Sequence, residues 1–262
     1  MKCFVILLSI VFSVSLFAYT DFGEVQDTGV KTAIEGMRAY IVHYQNWMYY
    51  TINVDTPGYI ETGVYNTKST TSGQIEIRPF YRWRAGPIIE TGRPLDFYID
   101  ASSRGFFVVK MPTSFAYTRD GRFILDSKNR LVTMSGQFPV MGQNGEIFLT
   151  DPEDVSVSRA GMIYQGDEPI DRLKIAVFKK RSEMTMDNME SLNGSFFVLT
   201  KELEILEDPR HYVVKQGVLE QNNVLKAITG DILMAKNAYD ATVKTAHLLN
   251  KSIGTAASLA SP

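Results

Sequence analysis

A regular apolar stripe near the C-terminal end constrains the fold more than any other feature of this sequence. Apolar or small residues recur there in alternating steps of three and four, which is the a/d seam of a heptad repeat. The stripe consists of Leu225, Ile228, Ile232, Ala235, Tyr239, Thr242, Ala246, Leu249 and Ile253. The opposite face carries charged side chains such as Lys226, Asp231 and Lys244. The pattern predicts a long amphipathic helix whose apolar face needs a partner.

A second stripe with the same spacing lies near the N-terminal end and offers that partner. It consists of Ile34, Met37, Ile41, Tyr44 and Met48, in a helix predicted from Thr28 to about Tyr50. We predict that the two helices pair as a coiled-coil-like base. The alternative is one ordinary amphipathic helix at each end, packed separately on a globular core.

Between the two stripes the apolar period changes to the period of two that is typical of β-strands. Short runs rich in β-branched and aromatic residues follow one another, as in Phe106–Val109, Leu131–Met134 and Leu173–Phe178, and between residues 122 and 149 they recur every eight or nine residues. Turn signals such as Lys128-Asn129 separate several of them, and we expect Asp120-Gly121 to form a hairpin turn. The predicted fold class is α+β, with a mainly antiparallel β central domain flanked by the two terminal helices.

The predicted organisation divides the chain into four parts. Residues 1–18 form a signal peptide, 19–60 an N-terminal helix and hinge, 61–214 the β-rich domain, and 215–262 the C-terminal heptad helix. The signal peptide is predicted because Lys2 precedes an apolar run from Phe4 to Phe17, with Ala18 at the cleavage point. The alternative is an uncleaved N-terminal anchor.

The first helix must stop at a segment that redirects the chain. The residue before Pro57 is forced towards extended geometry, and Pro-Gly favours a type II turn. The predicted hinge residues are Asn53, Asp55, Thr56, Pro57, Gly58 and Tyr59. A plain helix stop is the alternative interpretation.

Composition narrows the class of function. The net charge is −2, which disfavours nucleic acid as the main partner. The three histidines have no metal-ligand spacing, and the one cysteine, Cys3, precedes the apolar run. No phosphate loop or nucleophile elbow is present. The sequence therefore predicts no catalytic residue, metal, cofactor or small-molecule substrate.

Seven motifs, taken in chain order, give the sequence a resemblance to a known family. It resembles the bacterial flagellar rod and hook basal-body proteins, most closely those of proximal- and distal-rod type. The segments that carry the resemblance are Ala33–Met37, Asn53–Tyr59, Thr91–Asp96, Gly105–Val109, Tyr117–Phe123, Leu131–Val140 and Gln216–Val224, with Ala238, Tyr239 and Lys244 in the last helix.

The resemblance implies a structural subunit of the basal-body rod and not an enzyme. It implies terminal helices that pair into an inner layer, with a β-domain outside. It also implies subunits that stack with themselves and with other rod, hook or ring proteins to transmit torque across the periplasm. On this basis we expect the two apolar stripes to carry the contacts between subunits. Two features depart from the family: Tyr49-Tyr50 replace a usual pair of Asn, and members usually lack a cleaved signal peptide. A secreted periplasmic accessory with a rod-like fold is therefore the first alternative.

A periplasmic enzyme or glycan-binding module is the alternative from another class. Two carboxyl groups about 5–9 Å apart can hydrolyse a glycosidic bond. The candidate carboxylates are Asp96, Asp100, Asp120 and Asp126. The neighbouring Phe80, Tyr81 and Trp83 would give such a protein an aromatic binding face, although core packing is the better interpretation of these rings.

Overall fold

The computed structural model of this chain is built almost entirely of antiparallel β-strands. It describes residues 41–42, 45, 48–68, 75–192, 194–222, 224, 236–237, 240–241, 243–245, 247–248 and 251. Within this part, no helix is long and apolar enough to cross a membrane.

Seventeen strands have defined bounds in the described part of the chain. The first nine are β1 (Thr62–Lys68), β2 (Ile75–Tyr81), β3 (Ile88–Glu90), β4 (Phe97–Asp100), β5 (Gly105–Lys110), β6 (Phe115–Thr118), β7 (Phe123–Leu125), β8 (Leu131–Thr133) and β9 (Val155–Val157). The remainder are β10 (Met162–Gln165), β11 (Glu168–Arg172), β12 (Ile175–Phe178), β13 (Met189–Leu192), β14 (Phe196–Leu199), β15 (Ile205–Leu206), β16 (Val213–Gln216) and β17 (Val218–Glu220).

The predicted α+β class, with N- and C-terminal helices paired as a coiled-coil-like base, is wrong. The bounded helices among the described residues are two 3₁₀ turns, at Arg181–Glu183 and Pro209–His211. Helical backbone also occurs near the ends, as at 48–52 and 243–245, but no coiled-coil pair is found in the described regions. A spacing of three and four belongs to any amphipathic helix, so it does not specify a helical partner.

A six-stranded sheet forms the centre of the β structure, with the strand order β13-β14-β6-β5-β12-β15. Neighbours pair in antiparallel register, for example Phe107 with Thr118 and Ile175 with Phe107. Strands β9, β10 and β11 form a separate three-stranded sheet, and the pairs β1-β2, β3-β17, β4-β16 and β7-β8 form small two-stranded sheets. Strands distant in sequence therefore meet at several points, and β17 returns the chain to β3.

Two hydrophobic clusters fill the interior on the strands' buried faces. The larger contains Phe97, Phe107, Phe123, Leu131 and Ile163, each at most 1% exposed. The smaller gathers Trp83, Phe106, Phe178 and Phe197, with ring centroids 5.2–6.0 Å apart where pairs contact. Aromatic side chains bury large apolar areas and prefer tilted or edge-to-face contacts. Aromatic residues thus make up most of the smaller cluster, whereas aliphatic residues make up most of the larger one.

Of the two named turns, one is confirmed and one is wrong. Lys128-Asn129 joins the hairpin β7-β8, and Asn129 adopts the left-handed region at φ 61°. Asp120-Gly121 does not form a hairpin, because β6 and β7 lie in different sheets. Gly121 has a different use: a Cβ there would lie 1.7 Å from the carbonyl oxygen of Phe97. The glycine permits close backbone contact between two segments.

The chain divides into two compact units. One comprises Ile52–Gly63 and Pro79–Leu225 and is called the β unit below. The other comprises Met1–Thr51, Val64–Arg78 and Lys226–Pro262. The predicted boundaries at 18, 60 and 214 stay predictions, and the predicted signal peptide lies outside the described residues.

A chain of ion pairs links three separate segments of the β unit. Glu146 accepts from Lys110 Nζ at 3.0 Å and from Arg130 Nη1 at 3.2 Å, and Arg130 Nη2 lies 2.8 Å from Asp126. The backbone amide of Arg130 and its guanidinium lower the pKa of Asp126, and Lys110 and Arg130 lower the pKa of Glu146. Both carboxylates therefore stabilise the folded state only while they are ionised.

We expect the stability of this protein to fall in acid, partly through these two carboxylates. Because folding depresses both pKa values, their stabilisation is complete above the unfolded values of about 4 and is lost as pH falls through the folded values. Arg130→Gln should weaken this decline when the thermal midpoint is followed from pH 7 to 3. Lys128→Gln, which removes an exposed cation from the same turn, is the control. The same pH dependence in both variants would contradict this interpretation.

Candidate functional site at the motif junction

The segment Gln216–Val224 brings together motifs that are far apart in the sequence. Its β16 pairs with β4, so that Gln216 lies opposite Phe97. Its β17 pairs with β3, so that Glu220 lies opposite Ile88. The described residues beyond β17 then reach the segment around Asn53. We call this region, formed by Asn53–Tyr59, Thr91–Asp96, Arg119–Gly121 and Gln216–Val224, the motif junction.

The first contact of the motif junction joins Gln216 and Gly217 to the turn before β4. The amides of Thr91 and Gly92 donate to the Gly217 carbonyl at 2.8 and 3.1 Å, and the Gly217 amide donates to Asp96 O at 2.8 Å. The side-chain amide of Gln216 donates to Pro94 O and Val155 O at 2.8 and 2.7 Å. These hydrogen bonds hold the start of β17 against the turn that precedes β4.

A buried ion pair forms the centre of the motif junction. Arg119 Nη2 donates to Glu220 Oε2, and the two side chains are 2% and 4% exposed. Arg119 Nη1 also donates to Gly105 O at 3.1 Å, and its guanidinium lies 5.7 Å from the Phe106 ring centroid. The other Glu220 oxygen accepts from the Gly86 amide at 2.8 Å. A buried charge is tolerated when it is paired and hydrogen-bonded in this way.

The predicted hinge lies directly against this ion pair. The amide of Gly58 donates to the Glu220 carbonyl at 2.9 Å, and Gly58 adopts φ +64°. A Cβ on Gly58 would lie 2.4–2.7 Å from backbone atoms of Arg119 and Asp120. Pro57, Gly58 and Tyr59 are buried. Glycine is required here for both its conformation and its small size.

The start of the hinge is held by its own turn and by the chain that leaves β17. Thr56 donates its amide to Asn53 O at 3.0 Å and its hydroxyl to Asn53 Oδ1 at 3.3 Å. The side-chain amide of Asn222 donates to the carbonyls of Asn53, at 2.8 Å, and of Val54. Asp55 is exposed. The six hinge residues therefore form a turn that is held within the β unit, and a hinge motion stays a prediction.

The predicted assembly residues lie mostly outside the part that the structure describes. Ile41 and Met48 are described, and both are half-buried. The remaining eleven are Ile34, Met37, Tyr44, Leu225, Ile228, Ile232, Ala235, Tyr239, Ala246, Leu249 and Ile253, which are not among the described residues. Their role in assembly stays a prediction.

Three of the four candidate carboxylates have structural partners. Asp96 is fully buried and accepts from the Thr91 hydroxyl at 2.7 Å. Asp120 accepts from Arg122 Nε and Nη2 at 3.0 and 2.8 Å, and these hydrogen bonds raise the pKa of Arg122. Asp126 belongs to the ion-pair chain described above, and Asp100 is exposed at the end of β4. The first three carboxylates hold turns together.

Two rings of the aromatic triplet, Tyr81 and Trp83, pack in the smaller hydrophobic cluster, as the preferred interpretation predicted, and Phe80 is half-buried. Trp83 is 5% exposed and donates Nε1 to the Met184 carbonyl at 2.6 Å. Tyr81 contacts both Trp83 and Phe197, with ring centroids 5.1 and 5.4 Å apart. Burial raises the pKa of Tyr81. In the described part of the chain, no group of three or more His, Cys, Asp or Glu side chains is arranged to hold a metal ion.

The sequence did not reveal the partners that hold the hinge. Arg119, Glu220 and Asn222 lie in the motifs that carry the resemblance, yet they were not predicted to meet. One signal was available: Arg119 and Glu220 are charged residues beside apolar strand positions, where a charge requires a partner. The two residues are 101 positions apart in the sequence, and this spacing did not identify them as partners.

Comparison with known proteins finds flagellar basal-body proteins along most of the chain. The family model described as flagellar hook protein FlgE/F/G D1 domain matches residues 102–165. Flagellar basal-body rod protein FlgF of Rhizobium meliloti is 30% identical over 182 residues, which cover 67% of this chain and 71% of the relative. FlgF of Buchnera aphidicola subsp. Baizongia pistaciae is 27% identical over 213 residues, covering 76% of this chain and 84% of the relative.

Two glycines separate the effects of conformation and space at the motif junction. Gly58 and Gly92 have nearly equal φ angles of +64° and +66°, but a Cβ on Gly92 meets nothing within 4 Å. Gly92→Ala should cost about 1–2 kcal/mol of unfolding free energy, the usual cost of the left-handed region. Gly58→Ala adds the clash with Arg119 and should cost about 2–5 kcal/mol. Denaturant unfolding measures both, and equal losses would contradict the tight contact at Gly58.

Proposed function

We propose, from the premise that this chain belongs to the flagellar basal-body rod protein family, that its two chain ends carry the contacts between neighbouring subunits. The chain is a structural subunit of the rod in the flagellar basal body, and it assembles with other basal-body proteins. The family is one of structural proteins. Self-association through the chain ends and torque transmission across the periplasm are the finer parts of the proposal.

The apolar stripes at the two ends support this assignment of the contacts. A row of apolar side chains spaced by three and four presents a continuous surface, and burying each Leu or Ile yields about 1.5–3 kcal/mol. Subunits that join head to tail without closing form a helical filament. A rod subunit needs such a contact to join its neighbours. Within the β unit, the hinge residues are held by Glu220 and Asn222, at the points where the two end segments join the unit in sequence.

A periplasmic location forms a further part of the proposal. The apolar run from Phe4 to Phe17 after Lys2 supports delivery by general secretion, with removal of residues 1–18. Mass spectrometry of detergent-purified basal bodies tests both the location and the leader. A mature start near Tyr19 supports secretion, whereas an intact Met1 or Lys2 overturns the leader. Absence of the chain from basal bodies that contain the other rod proteins would overturn the function itself.

A matched pair of substitutions tests the apolar stripe. Leu249 lies on the stripe and Lys244 on the charged face, where Lys244 is exposed. Leu249→Asp places a charge in the proposed contact, so it should abolish incorporation into basal bodies and motility in a strain that lacks the native gene. Lys244→Asp should leave both intact. The thermal midpoint of the β unit should be unchanged in both proteins. Normal incorporation of the Leu249→Asp protein would refute the role of the stripe.

A further inference from the structure

Asn222 uses every polar atom of its side chain to join two distant parts of the chain. Its side chain is buried, and Nδ2 donates to the carbonyl oxygens of Asn53, at 2.8 Å, and of Val54. Its Oδ1 accepts from the backbone amide of Val224 at 3.3 Å. One amide group therefore contacts both the segment that enters the β unit and the segment that leaves it.

The two carbonyls that Asn222 binds belong to a place where the backbone needs donors. Asn53 and Val54 directly follow the helical residues 48–52. Carbonyls in the last turn of a helix, and those of the residues that follow it, receive no amide from within the helix, so side chains, water or a tightened turn must supply the donors. The Thr56 amide serves Asn53 O, and Asn222 supplies donors to both carbonyls. Asn222 thus supplies hydrogen-bond donors to the two carbonyls that directly follow the helical residues 48–52.

The oxygen of the same side chain orders the leaving segment. A side-chain oxygen that accepts from the amide two residues later is the bond by which Asn starts a turn or caps a helix. The same arrangement joins Asn222 Oδ1 to the Val224 amide. Only an amide side chain has two donors and an acceptor in this geometry, because Asp has no donor and Ser has one.

We propose that Asn222 is the positioning residue that holds the two chain ends together where they meet the β unit. The proposal rests on the proposed function. Holding the entering and leaving segments at one place matters because both lead to the chain ends that are proposed to carry the contacts between subunits. The bond from the Gly58 amide to Glu220 O lies two residues earlier on the same segment and provides a second tie. Asn222 therefore fixes the direction of the entering segment, while Glu220 fixes its depth on the β unit.

Asn222→Asp separates the two halves of this role. The carboxylate keeps the oxygen that accepts from Val224, but it cannot donate to Asn53 and Val54, whose carbonyl oxygens would then face a negative charge. Gln221→Glu makes the same change of charge at the adjacent, half-buried position and is the matched control. Hydrogen exchange of the full chain should show the Thr56 and Gly58 amides exchanging at least about tenfold faster in Asn222→Asp alone.

Assembly supplies the readout that a purely structural role would not change. Asn222→Asp should lower the thermal midpoint below that of Gln221→Glu, because its buried carboxylate lies against two carbonyl oxygens. At a temperature at which both proteins remain folded, Asn222→Asp should still reduce incorporation into basal bodies and motility severalfold, whereas Gln221→Glu should not. Unchanged exchange at Thr56 and Gly58, or faster exchange with normal incorporation, would overturn the positioning role. The exchange measurement uses the free protein, so it decides the amide tie independently of the basal-body test that decides the proposed function.

Discussion

The arrangement of the β unit depends on a pair of opposite charges that are buried away from water. Arg119 and Glu220 are almost fully buried, and an unpaired ion at either position would cost several kcal/mol. The cost is offset because each group meets the other and also a backbone partner, Gly105 O for the arginine and the Gly86 amide for the carboxylate. The pair thereby joins the connection after β6 to the last strand, β17. Any displacement of β17 would leave both charges without their partners.

The two residues of that ion pair also hold the hinge in position. Gly58 lies on the backbone of Arg119 and Asp120 and donates to the carbonyl of Glu220, so both ends of the ion pair contact it. Asn222 then binds the start of the same segment. If the chain ends carry the contacts between subunits, as proposed, load reaches the β unit through this segment. Buried hydrogen bonds and a close backbone contact provide stiffness that a linker of exposed polar residues lacks.

The sequence predicted local structure well and long-range pairing poorly. The runs around Phe106, Leu131 and Leu173 became strands because β-branched and aromatic side chains fit a half-buried pleated surface. Turn chemistry located the Lys128-Asn129 hairpin. Asp120-Gly121 was misassigned because the same dipeptide also permits a close backbone contact, here with Phe97. The pairing of β5 with β12 and of β14 with β6 depends on tertiary packing, which no local pattern records.

The coiled-coil-like base failed for a related reason: a spacing of three and four describes one helix face and not its partner. The order of the motifs indicated the family. The same motifs contain the residues of the motif junction, but the sequence did not reveal which of these residues contact each other.

A double-mutant cycle on Arg119→Met and Glu220→Leu, measured by denaturant unfolding, tests the central claim most directly. We predict that each single substitution costs about 3–5 kcal/mol and that the double substitution costs much less than their sum. Single losses below about 1 kcal/mol that simply add would contradict the claim that this ion pair organises the motif junction.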